Sequence, residues 1–148
     1  MSKNKIIPSL WFSADGGSVS KIIEYYKIIF DKNFVAGNIK LLGNTTSGKI
    51  ELCEVLIFEQ KYSLMSTEKE HHLFNDAFAL TINCDDQNEI DNYWDYFTQL
   101  GKEVQCGWCI DKYGLRWQVI PKNFDELLSK PKAWEVMMKQ KKIIIAEY

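Results

Sequence analysis

Two helical stripes at a fixed separation constrain this chain more than any other feature of its sequence. Ile22, Tyr25, Tyr26 and Ile29 fall at i, i+3, i+4 and i+7, the spacing that puts side chains on one face of an α-helix. Ile90, Tyr93, Trp94 and Phe97 repeat that spacing 68 positions later, with aromatic residues in the same two central places. Each stripe follows a β-rich segment and precedes further ones. A βαβββ unit present twice accounts for both stripes and for their flanks.

Read in order, the first copy predicts a strand over 6–12, with Pro8 tolerated near its start, and a loop over 13–17. Ser18 or Ser20 is suited to cap the helix. Strands are expected over 34–42, 50–58 and 62–66, with a loop of strong turn chemistry over 43–48 (GNTTSG) and a turn at 59–61. A polar connection, 67–75, leads to a strand over 77–84 and a helix over 88–100. Asp85 or Asp86 stands at the favourable end of that helix dipole, and Gly101 is placed to end it.

The stretch Cys106 to Pro121, CGWCIDKYGLRWQVIP, then reads as a hairpin. Its apolar arms flank a turn in which Gly114 supplies positive φ, and Pro121 closes the second arm. Asn123 is suited to cap a short helix ending near Leu128. Pro131 opens another, carrying Trp134, Val136, Met137 and Met138. Ile143, Ile144 and Ile145 are expected to pack on the domain or on a second subunit.

At 148 residues, 46% hydrophobic and 26% charged, the chain is one globular domain's worth. A net charge of −2 gives no basic footprint for nucleic acid. No apolar run approaches the about 20 residues of a membrane span. MSKNKIIPSLWF does not read as a signal peptide, so a cytoplasmic protein is expected. Cys106 and Cys109 have C-x-x-C spacing, but strand and turn follow them rather than a helix N-terminus. Cys53 and Cys84 are isolated, so no second pair completes a zinc site, and four free thiols are expected. His71 and His72, beside Glu68, Glu70 and Asp76, read as a solvated polar loop. Trp11, Trp108 and Trp117 are either core or the wall of a ligand cavity.

The pattern GWxxDKxGxxWQxxP, matched at Gly107, Trp108, Asp111, Lys112, Gly114, Trp117, Gln118 and Pro121, resembles the PhnB-like branch of the glyoxalase/bleomycin-resistance (vicinal oxygen chelate) superfamily. This branch is labelled as a 3-demethylubiquinone-9 3-methyltransferase domain. The resemblance implies an α+β fold in which paired βαβββ modules form a cupped mixed sheet, followed by C-terminal helices, in a homodimer. Residues 1–148 are then one domain: module one over about 6–66, module two over about 76–121, and a helical extension over 122–148. Metal-dependent relatives place His and Glu ligands on the inner faces of the cup. Here those positions fall on Ser9, Met65 or Ser66, Ala79 and Gln118, poor ligands for a divalent cation. No metal and no other cofactor is therefore expected. A nucleoside-type methyl donor calls for a glycine-rich turn after a strand, and none is present.

Alternation along the strands puts Arg116, Gln118 and Ile120 on the cup face, with Trp117 and Val119 behind. Ala79 and Thr81 face the cup, with Phe78, Leu80 and Ile82 behind, and Ser9 and Trp11 face it on the first strand. The expected binding residues are Ser9, Trp11, Ser66, Thr81, Trp108, Arg116 and Gln118; no catalytic residue is assigned. This set suits a small, partly aromatic or anionic organic molecule. The expected function is metal-free binding of such a ligand. The competing reading is a superfamily enzyme, either a metal-assisted isomerase or lyase or a methyltransferase.

Overall fold

The structure, a computed structural model, describes residues 4–69 and 73–148. The chain divides into two compact units, one ending at Leu73 and the other beginning at Phe74. The fold class is α+β, with one mixed sheet in each unit and helices at the C-terminus. Among the described residues, no helix is long and apolar enough to cross a membrane.

In the first unit, β1 (Ser9–Phe12) leads through α1 (Ser20–Phe30) to β2 (Phe34–Ala36), β3 (Lys40–Thr45), β4 (Gly48–Ile57) and β5 (Gln60–Thr67). The antiparallel run returns β5 beside β1, where the two pair in parallel with Trp11 opposite Met65. The predicted strand over 34–42 is two strands, broken at 37–39, and both pair with β4. The predicted loop over 43–48 is mostly strand, with only Thr46 and Ser47 in the turn. The next turn falls on Phe58 and Glu59, both at positive φ (48° and 64°), rather than on 59–61. Two consecutive left-handed residues match the right-handed twist of a hairpin.

Ile22, Tyr25 and Tyr26 of α1 are buried as their spacing requires, but Phe30 rather than Ile29 completes the stripe. Neither Ser18 nor Ser20 caps this helix; their hydroxyls bond each other. The helix start is met instead by Glu51 of β4, whose Oε2 accepts the Val19 N–H at 2.7 Å. That bond, with help from Lys49, holds the Glu51 carboxyl below the ordinary glutamate range. A lowered folded value means the stabilisation is complete above the unfolded pKa and is lost as pH falls through the folded one. Glu51→Gln is therefore expected to cost about 1 kcal/mol at pH 7 and less as the pH falls through the lowered folded pKa, measured by thermal unfolding across an acid pH series.

The second unit follows the same connectivity with one strand fewer. β6 (Ala79–Cys84) and α2 (Gln87–Gln99) precede β7 (Lys102–Glu103), β8 (Trp108–Ile110) and β9 (Arg116–Pro121), in the sheet order β6-β9-β8-β7 with β6 and β9 parallel. All four residues of the α2 stripe are buried. Asp86 caps α2 by accepting the Glu89 N–H at 2.9 Å, while Glu89 reaches back to the Asp85 N–H. Phe97 stacks on Trp117 of β9, centroids 4.6 Å apart and rings within 8° of parallel. Trp117 is therefore core, not cavity wall. Phe78, expected to pack behind β6, is instead exposed.

The extension forms α3 (Phe124–Leu128) and α4 (Ala133–Lys139). Asn123 makes no side-chain cap, and α4 starts beyond Pro131 on a left-handed Lys132. Of the four residues assigned to α4's apolar set, Met137 is buried while Trp134 and Met138 are exposed. Ile143 packs with Phe124, Leu127 and Met137, and Ile145 lies against them, so the tail docks on its own unit. Gln87 fixes it there, donating to the Ile143 carbonyl and accepting the Ile145 N–H.

Candidate functional site

Asp111 builds the hairpin that carries most of the candidate residues. Oδ1 accepts the N–H groups of Tyr113 (2.8 Å) and Leu115 (3.1 Å), and Oδ2 accepts the Trp117 indole N–H (2.8 Å). The backbone closes the same turn, Gly114 N–H to the Asp111 carbonyl, with Gly114 at φ 84°. With Trp117 drawn to the helix side, strand alternation turns Arg116, Gln118 and Ile120 to the other face.

Register brings three candidates into one row on that open face. Gln118 pairs with Thr81 on one side and with Trp108 on the other. The Thr81 hydroxyl donates to Gln118 Oε1 at 3.1 Å, leaving the Gln118 amide N–H donors directed elsewhere. Arg116 lies one row along, between Ala79 and Ile110. At the far end Ile120 packs under the C-terminal cluster, so the extension bounds the face there. A half-buried indole, an amide and a hydroxyl side by side form a surface for a flat, partly polar molecule.

Arg116 is less free than the sequence suggested. Its Nε donates to Asp76 Oδ1 at 2.8 Å, and one Nη donates to the carbonyls of Phe74 (3.0 Å) and Gly114 (2.8 Å). Nothing local in the sequence announced Asp76, which lies 40 positions away.

In the first unit, Ser9 lies in register with Ser63 and Glu54, and Trp11 with Met65 and Leu52. These residues share the face away from buried Leu10 and Phe12. The Trp11 indole N–H donates to Thr67 Oγ1 at 3.3 Å. Beside them a hollow of about 400 Å³ is lined by Asn38, Lys40, Leu52, Glu54 and Ser63 among others. Its lip is the break at 37–39, which the sequence did not reveal. Ser66 lies on the opposite face with Phe12, fully buried, its hydroxyl donating to the Ala14 carbonyl at 2.9 Å. It is therefore not part of this surface.

The positions where the resemblance expects metal ligands do not fit a divalent cation. Ala79 has no donor, the Ser66 hydroxyl is spent on Ala14, and Gln118 Oε1 already accepts from Thr81. Among the described residues no three His, Cys, Asp or Glu side chains cluster as a metal site. His71, His72 and Glu70 lie outside the described residues. All four cysteines are unpaired, and burial pushes the Cys84 and Cys109 thiols up to about 12, which keeps them inert at neutral pH.

Comparison with known proteins agrees with this fold. Among solved structures, the chain is similar to the PhnB protein of Bacillus cereus, with 23% identity and a TM-score of 0.67 over 79% of this chain and 99% of that one. It is also similar to the fosfomycin resistance protein FosX of Listeria monocytogenes, with 16% identity and a TM-score of 0.54 over 88% of this chain and 100% of that one. Glyoxalase I of Leishmania major matches with 11% identity and a TM-score of 0.52 over 83% of this chain and 91% of that one. At these identities the likeness is one of fold. No curated protein matches. The family described as 3-demethylubiquinone-9 3-methyltransferase matches residues 4–120, and the chain thus belongs to this family.

Proposed function

We propose that this protein binds a small organic molecule bearing a flat ring, without a metal ion, on the open sheet face that carries Trp108. The observation that supports this reading is the row Thr81, Gln118, Trp108. It aligns an exposed hydroxyl with a half-buried amide and a half-buried indole across three neighbouring strands, on the face turned away from α2. The indole offers its π-face, and the amide fixes the orientation of a carbonyl or amide on the ligand. The E126Q mutant of FosX from Listeria monocytogenes has been solved with Mn(II) and 1S,2S-dihydroxypropylphosphonic acid. The side chains where the resemblance expects metal ligands are neutral or already bonded, which favours recognition by stacking and hydrogen bonds instead.

The same reading has the protein acting as a cytoplasmic homodimer. Free cysteines suit a reducing compartment, and exposed Val35, Leu41 and Leu42 on β2 and β3 supply apolar surface for a second copy. The test is calorimetric titration with 2-naphthamide. Trp108→Ala is expected to weaken binding about tenfold or more, the loss of one stacked ring. Equal affinity in the variant and the native protein would remove Trp108 from the site.

A further inference from the structure

Arg116 is the only arginine in the chain; every other basic side chain apart from two histidines is a lysine. Its side chain is 17% exposed and lies on the open face proposed above as the ligand surface, whereas Asp76, its ionic partner, is 81% exposed. The pairing is one-sided. Asp76 engages Nε through a single oxygen, one Nη is held by two backbone carbonyls, and the second Nη has no partner among the described residues.

A guanidinium presents Nε and one Nη as a parallel fork that matches both oxygens of a carboxylate. Here the fork is pre-aimed by the Phe74 and Gly114 carbonyls but only half filled. Its occupant is a solvated carboxylate on an irregular segment, which loses little by returning to water. From this asymmetry we infer that Arg116 is an exchangeable anion site in which Asp76 stands in for the carboxylate of a ligand. The inference rests on the reading of the open face and adds the ligand's chemical class: an aromatic carboxylate that seats its ring toward Trp108. A lysine could not serve, because a point charge would lose both the carbonyl aim and the fork.

The test uses two probes of one shape, 2-naphthoate and 2-naphthamide, titrated into the intact protein and into Asp76→Asn. Vacating the fork is expected to tighten naphthoate about tenfold while naphthamide changes less than twofold. In the native protein, naphthoate should also move the Nε–H resonance of the single arginine, and naphthamide should not. That spectrum decides the matter if Asp76→Asn proves poorly folded: an unmoved resonance at saturating naphthoate overturns the anion site. Equal naphthoate affinity in both proteins, with naphthamide still bound, also overturns it and leaves the reading of the face intact. Failure of both probes to bind the native protein overturns both.

Discussion

Asp111→Ala is expected to destabilise the protein by about 4 kcal/mol, enough to unfold a domain of ordinary stability at moderate temperature. The residue is 2% exposed, and its carboxylate accepts three N–H groups, those of Tyr113, Leu115 and the Trp117 indole. A methyl group would leave two backbone donors and one indole donor without that acceptor, at about 1–3 kcal/mol for each one buried. Water can reach the Tyr113 end of the turn, which keeps the total below the full sum. Asp111→Asn should cost less, about 2 kcal/mol, because one oxygen survives while the new NH₂ must face a donor. Combining it with Trp117→Phe removes the opposing indole N–H, so the pair should be less damaging than the two single effects added. Urea denaturation of the four proteins measures this coupling. A cost below 1 kcal/mol for Asp111→Ala would mean the carboxylate does not organise the hairpin.

That hairpin was legible in the sequence because its determinants are local. Asp111, Gly114 and Trp117 lie within seven residues, and period-2 alternation from Trp117 fixes which face Arg116 and Gln118 occupy. The α2 stripe was legible for the same reason at period 3.6. What the sequence hid depends on pairing between distant segments. Ser66 was expected among the binding residues, until the register with β1 set Met65 opposite Trp11 and Ser66 beside buried Phe12. The break at 37–39 escaped notice because the β-rich pattern runs through it, although Leu41 and Leu42 are exposed at a sheet edge. Glu51 displaced the serines at the start of α1 from across the sheet, and Asp76 reached Arg116 in the same non-local way.

Gly101 misled in a different sense, and its replacement carries the second large effect. The sequence suggests a glycine that ends α2 through positive φ, yet Gly101 is not among the residues at positive φ. Its role is space. A Cβ at this position would overlap the Ile110 carbonyl oxygen and lie 2.5 Å from the Phe97 carbonyl oxygen and 2.9 Å from the Asp111 carbonyl carbon. All three are backbone atoms, so no rotamer change relieves the clash; the end of α2 and the end of β8 must separate. Separation pulls Phe97 from its stack on Trp117, within the core of the unit. Gly101→Ala is accordingly expected to cost about 3–5 kcal/mol by chemical denaturation, the range of severe backbone overpacking. Gly43→Ala, where an added Cβ meets nothing within 4 Å, is the matched control and should be near neutral. Because β8 carries Trp108 two residues before Ile110, a displaced β8 also shifts the indole relative to Gln118. Naphthamide binding by Gly101→Ala should therefore fall under conditions where it is still folded, whereas a change under 1 kcal/mol with unaltered binding would show that α2 and β8 are not held at this distance.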